Sequence, residues 1–224
     1  MDNIRFAFFD VDETLINLKS MFSFRAFYYR QRFGTLGGRV ADRVAHRRLL
    51  ASGRDRAQVN RAFYRAFRGH SQAAFAECAR RWFAEVSAQP SLYITPVLDA
   101  LRRHRADGVE PVFVSGSSIE ILQPLADALE VRHVLANRLE VSRGRFTGEL
   151  LSPQTIGDGK RAAVDAFLAR HHANAVRCYG YGDHLSDLPL LEAVGLPTVV
   201  MRDPALVEIA QARGWPVLNP DCTF

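Results

Sequence analysis

Residues 8–15 read FFDVDETL: two carboxylates two positions apart, Asp10 and Asp12, directly behind the apolar run FAFF. Carboxylates can attack as nucleophiles, carry protons or hold hard cations. A pair of them at the end of a buried-looking strand therefore marks a place for chemistry. Comparable polar groups recur further along. The run PVFV (111–114) ends in Ser115-Gly116-Ser117, and AVRCYGY (175–181) ends in Gly182-Asp183, with Asp187 four residues on. Lys160 opens a helical segment after the glycine-bracketed turn GDGK. Each alone has an ordinary explanation: a solvated turn for the acid pair, N-cap and first-turn positions for the serines, Asp183 and Asp187, a surface side chain for the lysine. In the order acid pair, serine, lysine, acid pair, each at the proper end of its element, they point to one site.

The elements that must position them are an alternation of strands and helices. Residues 4–9, 111–114, 175–181 and 197–201 form apolar runs suited to the middle of a parallel sheet, and 96–106, 159–171 and 186–194 are helical in pattern. This rhythm predicts an α/β protein with a Rossmann-like, doubly wound parallel sheet, in which ligands bind beyond the carboxyl ends of the strands. Two segments depart from it. Residues 133–151 have a hairpin pattern, with LEV and FTGELL around SRGR. Residues 17–92 are helical throughout, with breaks near Gly34–Gly38, Ser52–Gly53 and Gly69–Ser71. The expected division is a core of residues 1–16 and 93–224 and an all-helical insertion of about four helices over 17–92.

The constellation resembles the haloacid dehalogenase superfamily of aspartate-nucleophile phosphatases. FFDVDETL is similar to its first motif, DxDxT, with Asp10, Asp12 and Thr14. VFVSGSS resembles the second, Lys160 the third and GYGDHLSDLPLL the fourth, GDxxxD. LEVSRGRFTGELLSP followed by GDGK, and the place of the helical insertion after the first motif, resemble the phosphoserine-phosphatase-like branch. The resemblance implies Mg²⁺ held by the Asp10 carboxylate, the Asp12 backbone carbonyl and Asp183, with Asp187 holding a metal-bound water or orienting Lys160. It implies attack by Asp10 on a phosphomonoester to give an aspartyl-phosphate, and proton transfer by Asp12. Ser115 and the backbone N–H groups of Gly116 and Ser117 would bind phosphate oxygens near a helix start, and Lys160 would supply a fixed positive charge. Dehalogenases of the superfamily lack the second aspartate, so Asp12 argues against dehalogenation. Glu13 is either a hydrogen-bonding group at the hinge of the insertion or a tolerated variant.

The insertion resembles the family's helical cap, which closes over the site and excludes water. Its aromatics, Phe22, Phe24, Phe27, Tyr28, Tyr29 and Phe33, recur at helical spacing and are expected mostly in packing, as are Trp82 and Trp215. Nine positions after the nucleophile, phosphoserine phosphatases carry a glutamate for the substrate's ammonium. Here the residue is Lys19, which would repel an amino group and attract a second anion, unless it is a solvated surface lysine. The implied substrate is therefore a small anionic phosphorylated compound other than phosphoserine. Transfer of the phosphoryl group to an alcohol and non-enzymatic binding of a phosphate ligand are the rival readings.

Charge is uneven. Between Asn17 and Leu92 there are 15 Lys and Arg against 4 Asp and Glu, and the remainder holds 14 against 20. The arginines, among them Arg25, Arg30, Arg39, Arg43, Arg47, Arg56, Arg61 and Arg65, are expected on exposed helix faces, where they could steer a polyanion. A nucleic-acid partner is not expected, since no reading motif accompanies the charge. Cys78, Cys178 and Cys222 form no CxxC pair, His133, His171 and His172 suggest no metal set, and the start MDNIRFAFFD lacks the basic leader of a signal peptide. No apolar run approaches the roughly 18 residues of a spanning helix. These features predict a cytoplasmic protein.

Overall fold

The computed structural model describes residues 4–51 and 55–221. The Ser52–Gly53 break and Cys222 lie outside the described residues. The main sheet contains six strands: β1 (Arg5–Phe9), β2 (Val109–Ser118), β3 (His133–Asn137), β6 (Tyr179–Gly182), β7 (Leu196–Val200) and β8 (Val217–Leu218), in the order β3-β2-β1-β6-β7-β8. Every pairing in it is parallel. β4 (Leu139–Ser142) and β5 (Arg145–Leu150) form a separate antiparallel hairpin. Its two turn residues, Arg143 and Gly144, have φ of 49° and 73°, the pair of positive angles that suits a tight hairpin turn.

β1 lies in the centre because its sequence satisfies both faces. Successive side chains of a strand point to opposite sides. Phe6 and Phe8 pack with Val112, Val164, Phe167 and Leu190, while Ala7 and Phe9 pack with Val97, Leu101, Phe113 and Ile121. One layer thus contains α6 (Asp158–Arg170) and the single-turn α7 (Leu188–Leu191); the other contains α4 (Thr95–Ala106) and α5 (Ile119–Ala128). α8 (Pro204–Ala212) covers β7 and β8 through Leu206 and Ala210. Phe6 and Phe8 are among the largest fully buried side chains, and burying one such ring contributes about 1.5–3 kcal/mol relative to leaving it exposed.

Between β1 and α4 come α1 (Ser20–Ala51), α2 (Arg56–Arg65) and α3 (Gln72–Ser87). α1 is broken at Gly34, whose φ of 69° and ψ of 177° are not helical and are open almost only to glycine. Among the described residues the stretch therefore has four helical pieces. Asp55 caps α2 by accepting from the N–H groups of Ala57 and Gln58, and Ser71 caps α3 through Ala74 N–H. Phe24, Phe27, Phe63, Phe67, Phe75 and Trp82 are buried in one cluster that continues into the core side chains of the sheet. Phe33 is the exception among the predicted packing aromatics, at 51% exposure.

Three details differ from the sequence-based expectation. The predicted strand 175–181 begins only at Tyr179, because Asn174 accepts the Val176 N–H at 3.0 Å and turns Ala175–Arg177 into a 3₁₀ helix. His133–Asn137 is not hairpin but the edge strand of the main sheet, paired with β2. The predicted helix 186–194 is a 3₁₀ turn followed by the short α7, with proline in its first turn. Among the described residues, no helix is long and apolar enough to cross a membrane.

Candidate active site

Strand order reverses around β1: the chain proceeds from β1 to β2 and β3 on one side, and returns to β6 and β7 on the other. A crevice beyond the strand ends is expected there. Asp10 directly follows β1, with its N–H bonded to Tyr181 O at 2.9 Å, and Asp183 directly follows the neighbouring β6. A cleft of about 300 Å³ opens at this point and is lined by all of Asp10, Asp12, Lys19, Ser115, Gly116, Ser117, Lys160, Asp183 and Asp187. The structure therefore brings together every predicted site residue.

Lys160, at the start of α6, is the centre of the charge arrangement. Its Nζ donates to Asp10 Oδ1 at 2.5 Å and to Asp187 Oδ1 at 2.6 Å, and the side chain is 4% exposed. Asp187 is fixed from its other oxygen as well, which accepts from the N–H groups of Asp183 and His184, both at 3.2 Å. This close return depends on Gly182, because a Cβ there would lie 2.7 Å from Asp187 Cβ. Thr14 Oγ1 lies 2.9 Å from Asp183 Oδ1 and 3.3 Å from Asp10 Oδ2. The carboxylates of Asp10, Asp183 and Asp187 offer oxygens within 4.8 Å of one another, all from buried residues.

Burial dominates the electrostatics. It raises the Asp10 carboxyl to about 6, with Lys160 pulling down against it and Asp187 pushing up. Burial, and then the nearby Asp10, raise Asp12 to about 7, while Ser20 lowers it. Asp183 is raised to about 8 by burial and then by Asp10 and Asp187. Burial opposes the charge on Lys160, but Asp10 and Asp187 outweigh it and hold its pKa above the ordinary lysine range. Four acids thus face one lysine. One oxygen of Asp12, Oδ1, is buried without a hydrogen-bond partner. A hard divalent cation takes oxygen ligands of this kind, and the buried excess of negative charge fits one.

β2 loses register with β3 between Ser115 and Ser118, so the strand bends where its serines meet the cleft. Ser117 N–H donates to Ser115 Oγ at 3.1 Å, and Ser117 Oγ is bonded to Ser20 Oγ of α1. α5 begins at Ile119, so its N-terminus is directed toward the same place, a favourable position for an anion. At the mouth, Lys19 Nζ is 3.1 Å from Glu13 Oε2, with both side chains about half exposed. Glu13 has φ of 62°, in the turn where its N–H meets Ile16 O.

Residues 7–192 match the family model described as haloacid dehalogenase-like hydrolase. The chain belongs to this family. A Mycobacterium tuberculosis protein named as a probable phosphatase is 34% identical over 224 residues, spanning 95% of this chain and 74% of its own length. A histidinol-phosphatase of Neisseria meningitidis is 28% identical, spanning 95% of this chain and 97% of its own. A substrate-bound phosphoserine phosphatase has a TM-score of 0.65 at 15% identity, over 93% of this chain and 91% of that one, so the two share a fold. The resemblance to the haloacid dehalogenase family and to the phosphoserine-phosphatase-like branch is borne out.

Sequence reasoning gave no role to several residues of this hydrolase's site. Thr14 was visible as part of the first motif. Ser20, Asn60 and Arg56 line the cleft or touch its loop only because α1 and α2 pack over it. Arg56 stands in a run of similar arginines, and nothing local distinguishes it.

Proposed function

We propose that this hydrolase is a Mg²⁺-dependent phosphomonoesterase that works through an aspartyl-phosphate on Asp10. The observation that carries the reading is the bridge of Lys160 between Asp10 at 2.5 Å and Asp187 at 2.6 Å, deep in a cleft that also holds Asp12 and Asp183. Asp10, Asp183 and the Asp12 carbonyl would hold the cation, with Asp187 behind them. When bound, Mg²⁺ supplies positive charge against the phosphate and the attacking carboxylate.

Lys160 and Thr14 orient the Asp10 carboxylate, which attacks phosphorus while the ester P–O bond breaks. Asp12, with a pKa raised to about 7, holds a proton near neutrality and delivers it to the departing alkoxide oxygen. The same carboxylate then accepts a proton from water as that water attacks the acyl phosphate and releases Asp10 and inorganic phosphate. Ser115 and the Gly116 and Ser117 N–H groups bind the equatorial oxygens, and Lys160 neutralises charge that develops during transfer. In this reading residues 17–92 are a cap: Met21, Phe22 and Val59 wall the cleft above the acids and exclude bulk water.

The substrate is a small organic phosphate. The cleft volume of about 300 Å³ limits its size, and Lys19 and Arg56 at the mouth favour an anionic group beyond the phosphate. Lys19 instead of an acid at that place argues against phosphoserine. The charge of Lys19 is shared with Glu13, so Arg56 is the stronger of the two anion-binding groups. A panel of phosphomonoesters, with histidinol phosphate and phosphoserine included, tests the reading on wild type and Asp10→Asn with Mg²⁺. Turnover by wild type and none by Asp10→Asn is expected. No turnover of any panel member by wild type overturns it.

A further inference from the structure

Behind the phosphate loop lies a chain of buried amides that the chemistry above does not use. The Gly116 carbonyl accepts from Asn60 Nδ2 at 2.8 Å, Asn137 Nδ2 at 2.7 Å and Tyr64 Oη at 3.3 Å. Asn60 Oδ1 in turn accepts from Asn137 Nδ2 at 2.7 Å and from Gln154 Nε2 at 2.9 Å. Gln154 Nε2 also donates to Ala57 O at 2.9 Å, and Asn137 Oδ1 accepts the Thr155 N–H at 2.8 Å. Asn60, Tyr64, Asn137 and Thr155 are all buried.

The direction of these bonds is forced. The Gly116 oxygen can only accept and the Thr155 N–H can only donate, so each asparagine amide has one workable orientation. A carbonyl has two lone pairs, and three donors converge on this one. The plane of the Gly116–Ser117 peptide is therefore fixed. In a trans peptide the C=O and N–H point to opposite sides. With its carbonyl drawn back toward Asn60 and Asn137, the peptide turns its N–H the other way, where it donates to Ser115 Oγ at 3.1 Å beside the cleft.

The clamp also joins three elements. Asn60, Tyr64 and Ala57 belong to the inserted helix α2. Asn137 ends β3. Gln154 and Thr155 lie on the segment that runs into α6 and Lys160.

We propose that Asn60 and Asn137 are positioning residues for phosphoryl transfer: by gripping the Gly116 carbonyl they hold the Ser117 N–H on Ser115 Oγ and so keep this pair of donors at the phosphate, and Asn60 makes the alignment depend on the docking of α2. The inference rests on the reading of residues 115–117 as the phosphate loop. It makes the inserted helices part of the transition-state machinery, because oriented backbone donors act only when held in place before the reaction.

Asn60→Asp tests it. The substitution keeps the shape and replaces the donor facing Gly116 O with an acceptor. With Mg²⁺-loaded enzyme and a series of aryl and alkyl phosphates, kcat/KM should fall by about 10²-fold. The factor should be the same for every leaving group, and the inhibition constant of orthovanadate should rise in parallel. In ¹⁵N NMR spectra, orthophosphate should shift the Ser117 amide in wild type and leave it nearly unmoved in the variant. A loss that varies with the leaving group while orthovanadate inhibition is unchanged would assign Asn60 to recognition of the substrate body and overturn the proposal. So would unaltered kinetics and an unaltered Ser117 shift. If Asn60→Asp fails to fold, Asn60→Ser and Asn137→Ser remove the donors without adding charge, with the same expectations. Wild type that neither hydrolyses phosphates nor binds orthophosphate defeats the phosphatase reading itself, and this inference with it; wild-type activity with a silent Asn60→Asp defeats only the inference.

Discussion

Replacing Lys160 with methionine removes the charge and keeps most of the stem. The lysine is 4% exposed and touches two carboxylates, Asp10 at 2.5 Å and Asp187 at 2.6 Å. Removal of one partner from a buried ion pair costs about 3–5 kcal/mol, because the other charge is left unmatched. Here the orphaned Asp10 carboxyl has an escape: it can keep a proton. Asp10 is already raised to about 6 with Lys160 beside it, so without the lysine it rises further, and the cost depends on pH. The lysine itself contributes no pH dependence near neutrality. Its pKa is raised from 10.5, so its stabilising effect is complete below that value and is lost only as pH rises through the higher folded value. The carboxylates set the slope. Above the wild-type Asp10 pKa the variant's folded state holds protons that wild type has released, so the stability deficit widens as pH rises.

Urea unfolding of the metal-free proteins, followed by the fluorescence of buried Trp82, should therefore show a deficit of about 3 kcal/mol or more at pH 8. At pH 5 the deficit should be clearly smaller, since Asp10, raised to about 6 in wild type, is mostly protonated in both proteins. With Mg²⁺, kcat should fall by about 10²–10³-fold, the usual loss for one charge-stabilising group. A variant as stable as wild type at pH 8, or one with a deficit that shrinks as pH rises, would refute the claim that Lys160 offsets buried negative charge.

Three further outcomes follow from the same geometry. Asp12→Asn should lower kcat about 10²–10⁴-fold on alkyl phosphates, which need a proton on the leaving oxygen, and far less on p-nitrophenyl phosphate; equal losses on both would contradict its role as acid. Metal-free wild type should lose stability as pH rises from about 4 to about 8, because Asp10, Asp12 and Asp183 have folded pKa values of about 6, 7 and 8, all raised by burial, and the folded state must release protons the unfolded chain has already lost. Mg²⁺ should flatten that slope in thermal melts, and a slope that persists at saturating Mg²⁺ would count against cation binding at these acids. Gly182→Ala places a methyl carbon 2.7 Å from Asp187 Cβ; overpacking of this kind costs about 1–3 kcal/mol, and activity should fall more than that of Gly144→Ala at the hairpin turn.

The site was legible in the sequence because parallel strands buried on both faces read as continuous apolar runs, and the fold puts ligands at their carboxyl ends. FAFF, PVFV and RCYGY each end one residue before a cleft group or within two of one. Less was legible where pairing is remote. HVLAN is only half-buried along most of its length, so nothing in its own pattern separates an edge strand of the main sheet from the hairpin that follows. The two-residue β8 and the short α8 carry too little periodicity to mark themselves. Asn60, Asn137 and Arg56 acquire their places from packing between α2, β3 and β2, and an isolated asparagine or arginine carries no local signal of that. In sequence Lys19 suits either an anion-binding group or a solvated lysine; its partner Glu13, six residues away, belongs to the tight turn after β1, and no helical or strand spacing pairs the two.

The arrangement violates the usual rule for stable cores, and the violation is informative. Buried carboxyls raised to about 6, 7 and 8 are groups that folding disfavours in their charged form, and a chain selected only for stability would replace them. They are retained at the point where β1 and β6 lie side by side, so that Asp10 and Asp183 are brought together by adjacent backbones rather than by flexible loops. Lys160 and Thr14 then fix the rotamers of both acids. What remains is a rigid pocket with more negative charge than its own lysine can match. A pocket of this charge suits a divalent cation, and in the proposed reading that charge would in turn admit a phosphate dianion. In the proposed reading the same imbalance would both weaken the metal-free fold and give the site its affinity for a cation, so the stability slope with pH and the response to Mg²⁺ are two readouts of one electrostatic deficit.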